Sequence, residues 1–546
     1  MPINNAEQVP VNVVGSSKFG RYPKISAERT YNMYVSDEWL INLPGFKLKT
    51  ALASSETTEG RGAFHSIRGG FVLIVVGSVV YRLNANLAPV FIGTIGTSMG
   101  EVFLDENLNS QICIVDGQDA YIYSYVSNAL TPQTLTHPDG VCIPNYVCYH
   151  NTFFLFGSNP NSVNPQLWFA FVPDAAGDPI NDIIWNSTFS ISTKPDSAIA
   201  IKRLPGRGNN VIVFGFTVAE IWTQVAATSA TDILPYRRVQ SFNIDNGTVA
   251  VETIAASEEF VAWIGQNENN NISLMISEGT SVKRISTDGI DHLLDTIQFP
   301  DQATGLIFKE SGHLFYQFTF FNPVDNLTMV YDFNADAFYD LTDENSNFHP
   351  ARQVVFFNLK TYFISLNDAG FYQMGSEFIS YDYDTTPASQ GQEIPRIRVC
   401  NTVRQQDSRR FRAGSVTLRI EQGIDLNYII NSMDIIQNGC DGELITEIDM
   451  NPIVTELGLI ILAEFGSCNN LIANQLTYQP RVDLSISKNG NASYSNIVSR
   501  YLNPIGDYRN IMKWARPLGQ CNELTLQFRF WGFQRMVLRD AILETW

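Results

Sequence analysis

The stretch FVLIVVGSVVYRLN (71–84) contains two short apolar runs, FVLIVVG (71–77) and VVYRLN (79–84), separated by turn residues. Runs this short, rich in β-branched residues and broken by Gly and Ser, predict two strands joined by a tight turn. The pattern recurs. QICIVDG (111–117) is followed by AYIYSY (120–125), NTFFLFG (151–157) by QLWFAFV (166–172), and NVIVFGF (210–216) by AEIWTQ (219–224). Further on, EFVAWIG (259–265) precedes ISLMIS (272–277) and SVKRIS (281–286). HLFYQFTF (313–320) precedes TMVYDF (328–333), and KTYFISL (360–366) precedes GFYQMG (370–375). Helical periodicity is nearly absent. The leading strands start 40 to 59 residues apart, about the length of a four-stranded propeller blade with its loops. Two large β-sandwiches would also give paired strands, but such a run would break into units of about 100 residues. The expected fold is therefore all-β: a β-propeller-like body of six to eight blades, seven favoured, followed by a smaller C-terminal β domain.

The expected boundaries follow the composition. Residues 1–60, with INLPGFKLKT at 41–50, supply leading strands, one of which would close the propeller ring. Residues 61–380 form the propeller-like domain. YDYDTTPASQGQEIP (381–395) is polar and lacks apolar periodicity, so it reads as a linker. Residues 396–546 form a second, smaller β-rich domain. It contains an Arg-rich start, RIRVCNTVRQQDSRRFRAGSVTLRI (396–420), an acidic stretch at 441–465, and a strand-like end.

The 546 residues are 45% hydrophobic and 12% aromatic, and only 17% are charged. That excludes a disordered tail or a coiled coil. The longest apolar run, 71–81, is half the roughly 20 residues a membrane helix needs. The opening MPINNAEQVPVNVVG has neither a basic start nor an apolar core, so no secretory signal is expected. Seven cysteines without a CxxC fit a reduced chain with packed thiols, made in a cytoplasm. The net charge is −19, and residues 391–546 carry sixteen bases and sixteen acids, so the excess lies on residues 1–390. An acidic body of this kind argues against capture of nucleic acid through phosphate neutralisation.

No catalytic or cofactor-binding residues are expected. HExxH and phosphate-loop patterns are absent. Cys142, Cys148 and His150 form C-x5-C-x-H, but a closed zinc site needs about four ligands, so core thiols on a strand are the better reading. DFNADAFYDLTDEN (332–345) lacks the central Gly of a calcium loop and reads as a solvated hairpin. SISKNGNASY (485–494) is similar to a sialidase-type Asp box without its Asp, and reads as a hairpin turning at Asn489-Gly490. In the basic run, strand alternation puts Arg396 and Arg398 on one face, suited to ion pairing within or between subunits, with DNA contact as the competing role.

Three patches resemble one family, the tail hub or nozzle proteins of short-tailed bacteriophages, also known as packaged-DNA stabilisation proteins. They are ERTYNMYVSDEWLINLPGF (28–46), residues 201–265 around Glu220-Ile221-Trp222, and SRYLNPIGDYRNIMKWARPLGQCNELTLQFRF (499–530). Together they cover about a quarter of the chain. Pro517 stands where a basic residue is often found in the last pattern. The resemblance implies a structural virion protein without cofactor or metal. It would form a ring, expected to be a hexamer, below a portal-bound adaptor. A tail needle or plug would close the exit, and tailspikes or fibres would dock on the flank. Genomic DNA would be retained and then conducted through the lumen without specific binding. A ring of six such chains would carry roughly −114, a charge that repels phosphate. Arg509, Lys513, Trp514 and Arg516, with Arg396 and Arg398, are the expected structural or interface residues. The alternative is a glycan-binding or glycan-hydrolysing propeller. A glycosidase needs two carboxylates about 5 to 10 Å apart, and no motif selects such a pair.

Overall fold

The computed structural model describes the chain except residues 1–6, 21–27, 53–58, 207, 226–233, 387–388, 390, 406–408, 424–479, 504–507, 516–517 and 546. The acidic stretch 441–465, Cys440, Cys468, Arg516 and Pro517 therefore lie outside the described residues.

The strand pairs read from the sequence are the middle strands of propeller blades. In the first blade, Phe71–Val76 pairs with Val79–Leu83, and all six residues of Phe71–Val76 are buried. Both faces of that strand pack, one towards each neighbouring blade, which is why it reads as an unbroken apolar run. Gly60–Ser66 adds on the channel side and Pro89–Thr94 on the outside. Six blades are built in this way from four consecutive strands each. Their channel-side strands are Gly60–Ser66, Phe103–Glu106, Pro144–His150, Ala200–Arg203, Ala255–Ala256 and Ala303–Glu310.

A seventh blade is composite. Ala351–Phe357, Lys360–Ser365 and Gly370–Gly375 supply three strands, and Gly45–Ala51 supplies the fourth, antiparallel to Gly370–Gly375. The ring thus closes with a strand from the start of the chain. Phe46 anchors it. Its fully buried ring stacks on Tyr381 at 4.6 Å and meets Phe363 and Tyr372 edge-on, each at 5.2 Å. Gly45 is required beside it, because a Cβ there would lie 2.4 Å from the Ser380 carbonyl oxygen and 2.6 Å from that of Phe378.

The remaining strands form two sheets facing one core. One sheet runs Met33–Ser36, Trp39–Asn42, Val537–Thr545, Phe411–Ile420 and Ile511–Trp514. Glu7–Val11 pairs with Val537–Thr545, and Gly519–Cys521 with Phe411–Ile420. The other contains Arg396–Val399, Glu523–Trp531, Arg481–Ser487 and Val498–Tyr501. Leu40, Leu418, Trp514, Phe528, Phe530 and Leu538 fill the space between them. Arg29–Tyr31 splices this second sheet onto the propeller, pairing with Arg396–Val399 on one side and with the sixth blade's outer strand Ala337–Leu341 on the other. The stretch 381–395, read above as a linker, contributes Ser380–Asp382, which runs parallel to Gly45–Ala51.

Phe46→Ala should cost about 3 to 5 kcal/mol of folding stability, since a large ring leaves a fully packed site at the ring's closure. Urea unfolding of the purified chain checks this, and a loss below about 1 kcal/mol would show that closure does not depend on this anchor.

Candidate functional site: the propeller channel and the terminal strands

The channel-side strands bring together charges that are far apart in sequence. Arg352, at the start of the seventh blade, is fully buried. It donates from Nε to Glu252 Oε1 at 2.6 Å and from Nη2 to Glu252 Oε2 at 3.2 Å. The same guanidinium pairs with Glu59 and donates to the Gly60 carbonyl at 3.1 Å. Burial works against its charge, but the two carboxylates outweigh that and hold its pKa above the ordinary arginine value. Burial drives Glu252 the other way, raising its pKa despite Arg352. Glu101, partly buried nearby, has its carboxyl pushed up to about 8 by desolvation and by Glu252. Arg61 is also fully buried, and it donates to the carbonyls of Gly77, Thr97, Met99 and Gly100 across the first two blades.

The opposite end of the channel carries cations. Lys202 Nζ donates to the Tyr146 hydroxyl at 3.0 Å, and Arg203 lies 3.6 Å from Asp105. Between the ends is a cavity of about 280 Å³.

The residues expected as structural or interface groups fall in the C-terminal sheets. Trp514 is 2% exposed, meets Phe528 at 5.8 Å and donates its indole N–H to the Val498 carbonyl at 2.8 Å. Lys513, one position along the strand, faces outward and pairs with Glu544 at 3.2 Å. The Arg509 carbonyl accepts from Gln422 Nε2 at 2.9 Å. Arg396 and Arg398 share a face and are both completely buried. Arg396 donates to the carbonyls of Gly532 and Ile379, and burial lowers its pKa to about 10. Arg398 donates to the carbonyls of Asn12, Val13 and Ser16 and to Thr30 Oγ1, with Glu28 at 3.6 Å. These two arginines hold the N-terminal run and the propeller edge against the C-terminal domain, out of reach of solvent.

The other motifs resolve into structure. His150 spends both ring nitrogens, on the Tyr236 hydroxyl at 2.7 Å and the Gly208 carbonyl at 3.0 Å. Burial pushes the Cys148 thiol to about 11 and the Cys142 thiol to about 12. Among the described residues, no group of three or more His, Cys, Asp or Glu is placed to hold a metal ion. The run 332–345 forms the hairpin of Leu327–Asp332 with Ala337–Leu341. Two of its acids are buried rather than solvated: Asp332 pairs with His313 at 2.7 Å, and Asp340 accepts from Ser17 at 2.6 Å. Glu220, in the Glu-Ile-Trp patch, is buried and accepts from the Trp222 indole at 3.0 Å and the Thr193 N–H at 2.7 Å, tying the third blade to the fourth. The Arg352 triad gave no motif in the sequence, because its members stand 100 and 293 residues apart.

The chain is a closed β-propeller spliced to a β-sandwich, with four buried arginines at the joints between segments. The model of the phage-stabilisation family described as Bacteriophage P22 Gp10, beta-propeller, matches residues 27–336, more than half of the chain. The chain belongs to that family, whose members are phage tail proteins that stabilise packaged DNA. No curated protein matches it. Among solved structures it is similar to a streptogramin B lyase at 13% identity and TM-score 0.39, covering 60% of this chain and 97% of that one. The virginiamycin B lyase from Staphylococcus aureus is 12% identical with TM-score 0.40, covering 60% and 99%. The WD40 propeller domain of Doa1 is 10% identical with TM-score 0.37, covering 60% and 96%.

Two outcomes follow from the buried charges. Arg352→Met should destabilise the chain by about 3 to 5 kcal/mol in chemical denaturation, because Glu252 is left buried without its partner. Glu101 has a folded-state pKa above its unfolded value, so its contribution is complete at low pH and is lost as pH rises from the carboxylate range through about 8. Glu101→Gln should therefore flatten the fall in unfolding midpoint between about pH 5 and about pH 9. An unchanged slope would show that Glu101 titrates normally.

Proposed function

We propose that this protein is a non-enzymatic tail hub or nozzle, a ring of about six copies that retains the packaged genome and conducts it during ejection. The family match across residues 27–336 carries the reading. Its expected neighbours are a portal-bound adaptor, a tail needle or plug, and tailspikes or fibres. DNA would pass through the lumen without specific binding, as suits a chain of net charge −19.

The C-terminal domain offers a surface suited to ring contacts. Among the described residues, Val498–Tyr501 pairs only with Arg481–Ser487, leaving one strand edge open. Ile497 and Tyr501, beside and on this strand, and Tyr508 and Ile511 of the same domain are each more than half exposed. Open edges and apolar patches are what soluble proteins normally cover, and a neighbouring copy would cover this one. Trp514 supports the patch from beneath through its bond to Val498.

Quantitative mass spectrometry of purified particles, scaled to the portal protein, should give about six copies per portal ring. Absence from particles would overturn the reading and favour a glycan-active propeller. Tyr501→Glu should leave the unfolding midpoint of the isolated chain nearly unchanged while reducing its incorporation into particles at least tenfold. Normal incorporation would place the ring contact elsewhere.

A further inference from the structure

The propeller channel has two chemically different ends. At the first, Arg352 is saturated by Glu252, Glu59 and the Gly60 carbonyl. At the second, Arg203 pairs with one carboxylate, Asp105, whose field also reaches Lys202. That carboxylate is already engaged by the Tyr149 N–H at 2.7 Å, and Arg203 approaches it only to 3.6 Å. Lys202 donates to the Tyr146 hydroxyl and, among the described residues, has no carboxylate within ion-pairing distance. Burial works against its ammonium, but Tyr146 and the field of Asp105 outweigh that and keep its pKa above the ordinary lysine value. An ammonium has three donors, and here one is used. A half-buried cation that keeps its charge with donors to spare can take an anionic partner.

The other half has room. The cavity of about 280 Å³ beside Lys202 is lined by Phe103, Leu104, Leu306 and Val354, and also by the carboxylates of Asp105 and of Glu252, the latter held by Arg352. That lies at the small end of ligand pockets, too small for a polymer. Gln353, the neutral polar group on the wall, spends its Oε1 on the Ala63 N–H at 2.9 Å. A group of apolar side chains beside convergent cations, with both lining carboxylates already engaged, suits a compact molecule that is apolar at one end and anionic at the other.

We propose that the propeller channel is a binding site for a small organic anion, its carboxylate or phosphate seated on Lys202 and Arg203 and its apolar body against Phe103, Leu104 and Leu306. Such a ligand would fill the centre of the ring and bridge the second, fourth and sixth blades, which supply these residues. The site is independent of the hub reading, since it needs only the folded chain.

Isothermal titration of the full chain with sodium benzoate, phenyl phosphate, inorganic phosphate and benzylamine tests it. The expected result is saturable one-to-one binding of benzoate or phenyl phosphate, with no heat from benzylamine. The tighter of the two anions identifies the head group. Lys202→Met, which keeps the stem and removes the charge, should weaken binding at least tenfold. Arg203→Gln should weaken it less, and because the Arg203 side chain is more than half exposed, that variant carries the test if Lys202→Met does not fold. No saturable binding of either aromatic anion, or binding unchanged in the folded variants, would overturn the proposal. So would inorganic phosphate binding as tightly as phenyl phosphate, since the apolar wall would then contribute nothing.

Discussion

Ring closure is the constraint on which the rest of this structure depends. The seventh blade has only three strands from its own part of the sequence, and its fourth, Gly45–Ala51, comes from the other end of the propeller. An open ring would leave the backbone edge of Gly370–Gly375 unpaired and expose the apolar surface around Phe46. Closure fixes where Gly45–Ala51 must lie, and so constrains where residues 7–42 can pack. Those residues are carried back beside the C-terminal strands, where Glu7–Val11 and Trp39–Asn42 pair with Val537–Thr545. Propeller and sandwich are thus one continuous hydrogen-bonded object, with Arg29–Tyr31 shared between them.

Buried arginines secure the joints that closure creates. Arg61 ties the first blade to the second, and Arg352 ties the seventh to the first and to the turn before the fifth. Arg396 and Arg398 clamp the propeller edge and the N-terminal run. A guanidinium suits these places because its fixed fork of donors can satisfy several carbonyls converging from different segments, which a hydrophobic side chain would leave unpaired. The cost is desolvation, visible in the lowered pKa values of Arg61 and Arg396. Only Arg352 faces two carboxylates closely enough to reverse that direction.

The middle strands of each blade were legible because both of their faces are buried, which writes an unbroken apolar run such as Phe71–Val76. The flanking strands were not. Pro89–Thr94 is largely exposed, and the channel strands mix apolar side chains with charges such as Arg352 and Lys202, so neither type shows a clean period. The acids of 332–345 read as solvated because a local window cannot show that His313 and Ser17 come to meet them. The alternation that puts Arg396 and Arg398 on one face was readable, but not the direction of that face.

By itself, the sequence determined an all-β chain of repeated strand pairs, a body bearing the excess acid, and a C-terminal β region, because turn residues and buried faces leave local signatures. It also held three patches resembling the phage-stabilisation family, two of which fall within the family match at residues 27–336. Tertiary structure decided which end of the chain closes the ring, which arginines are buried at joints and which charges meet in the channel. Those outcomes depend on contacts between separate segments, across up to 386 residues, and no local pattern encodes them.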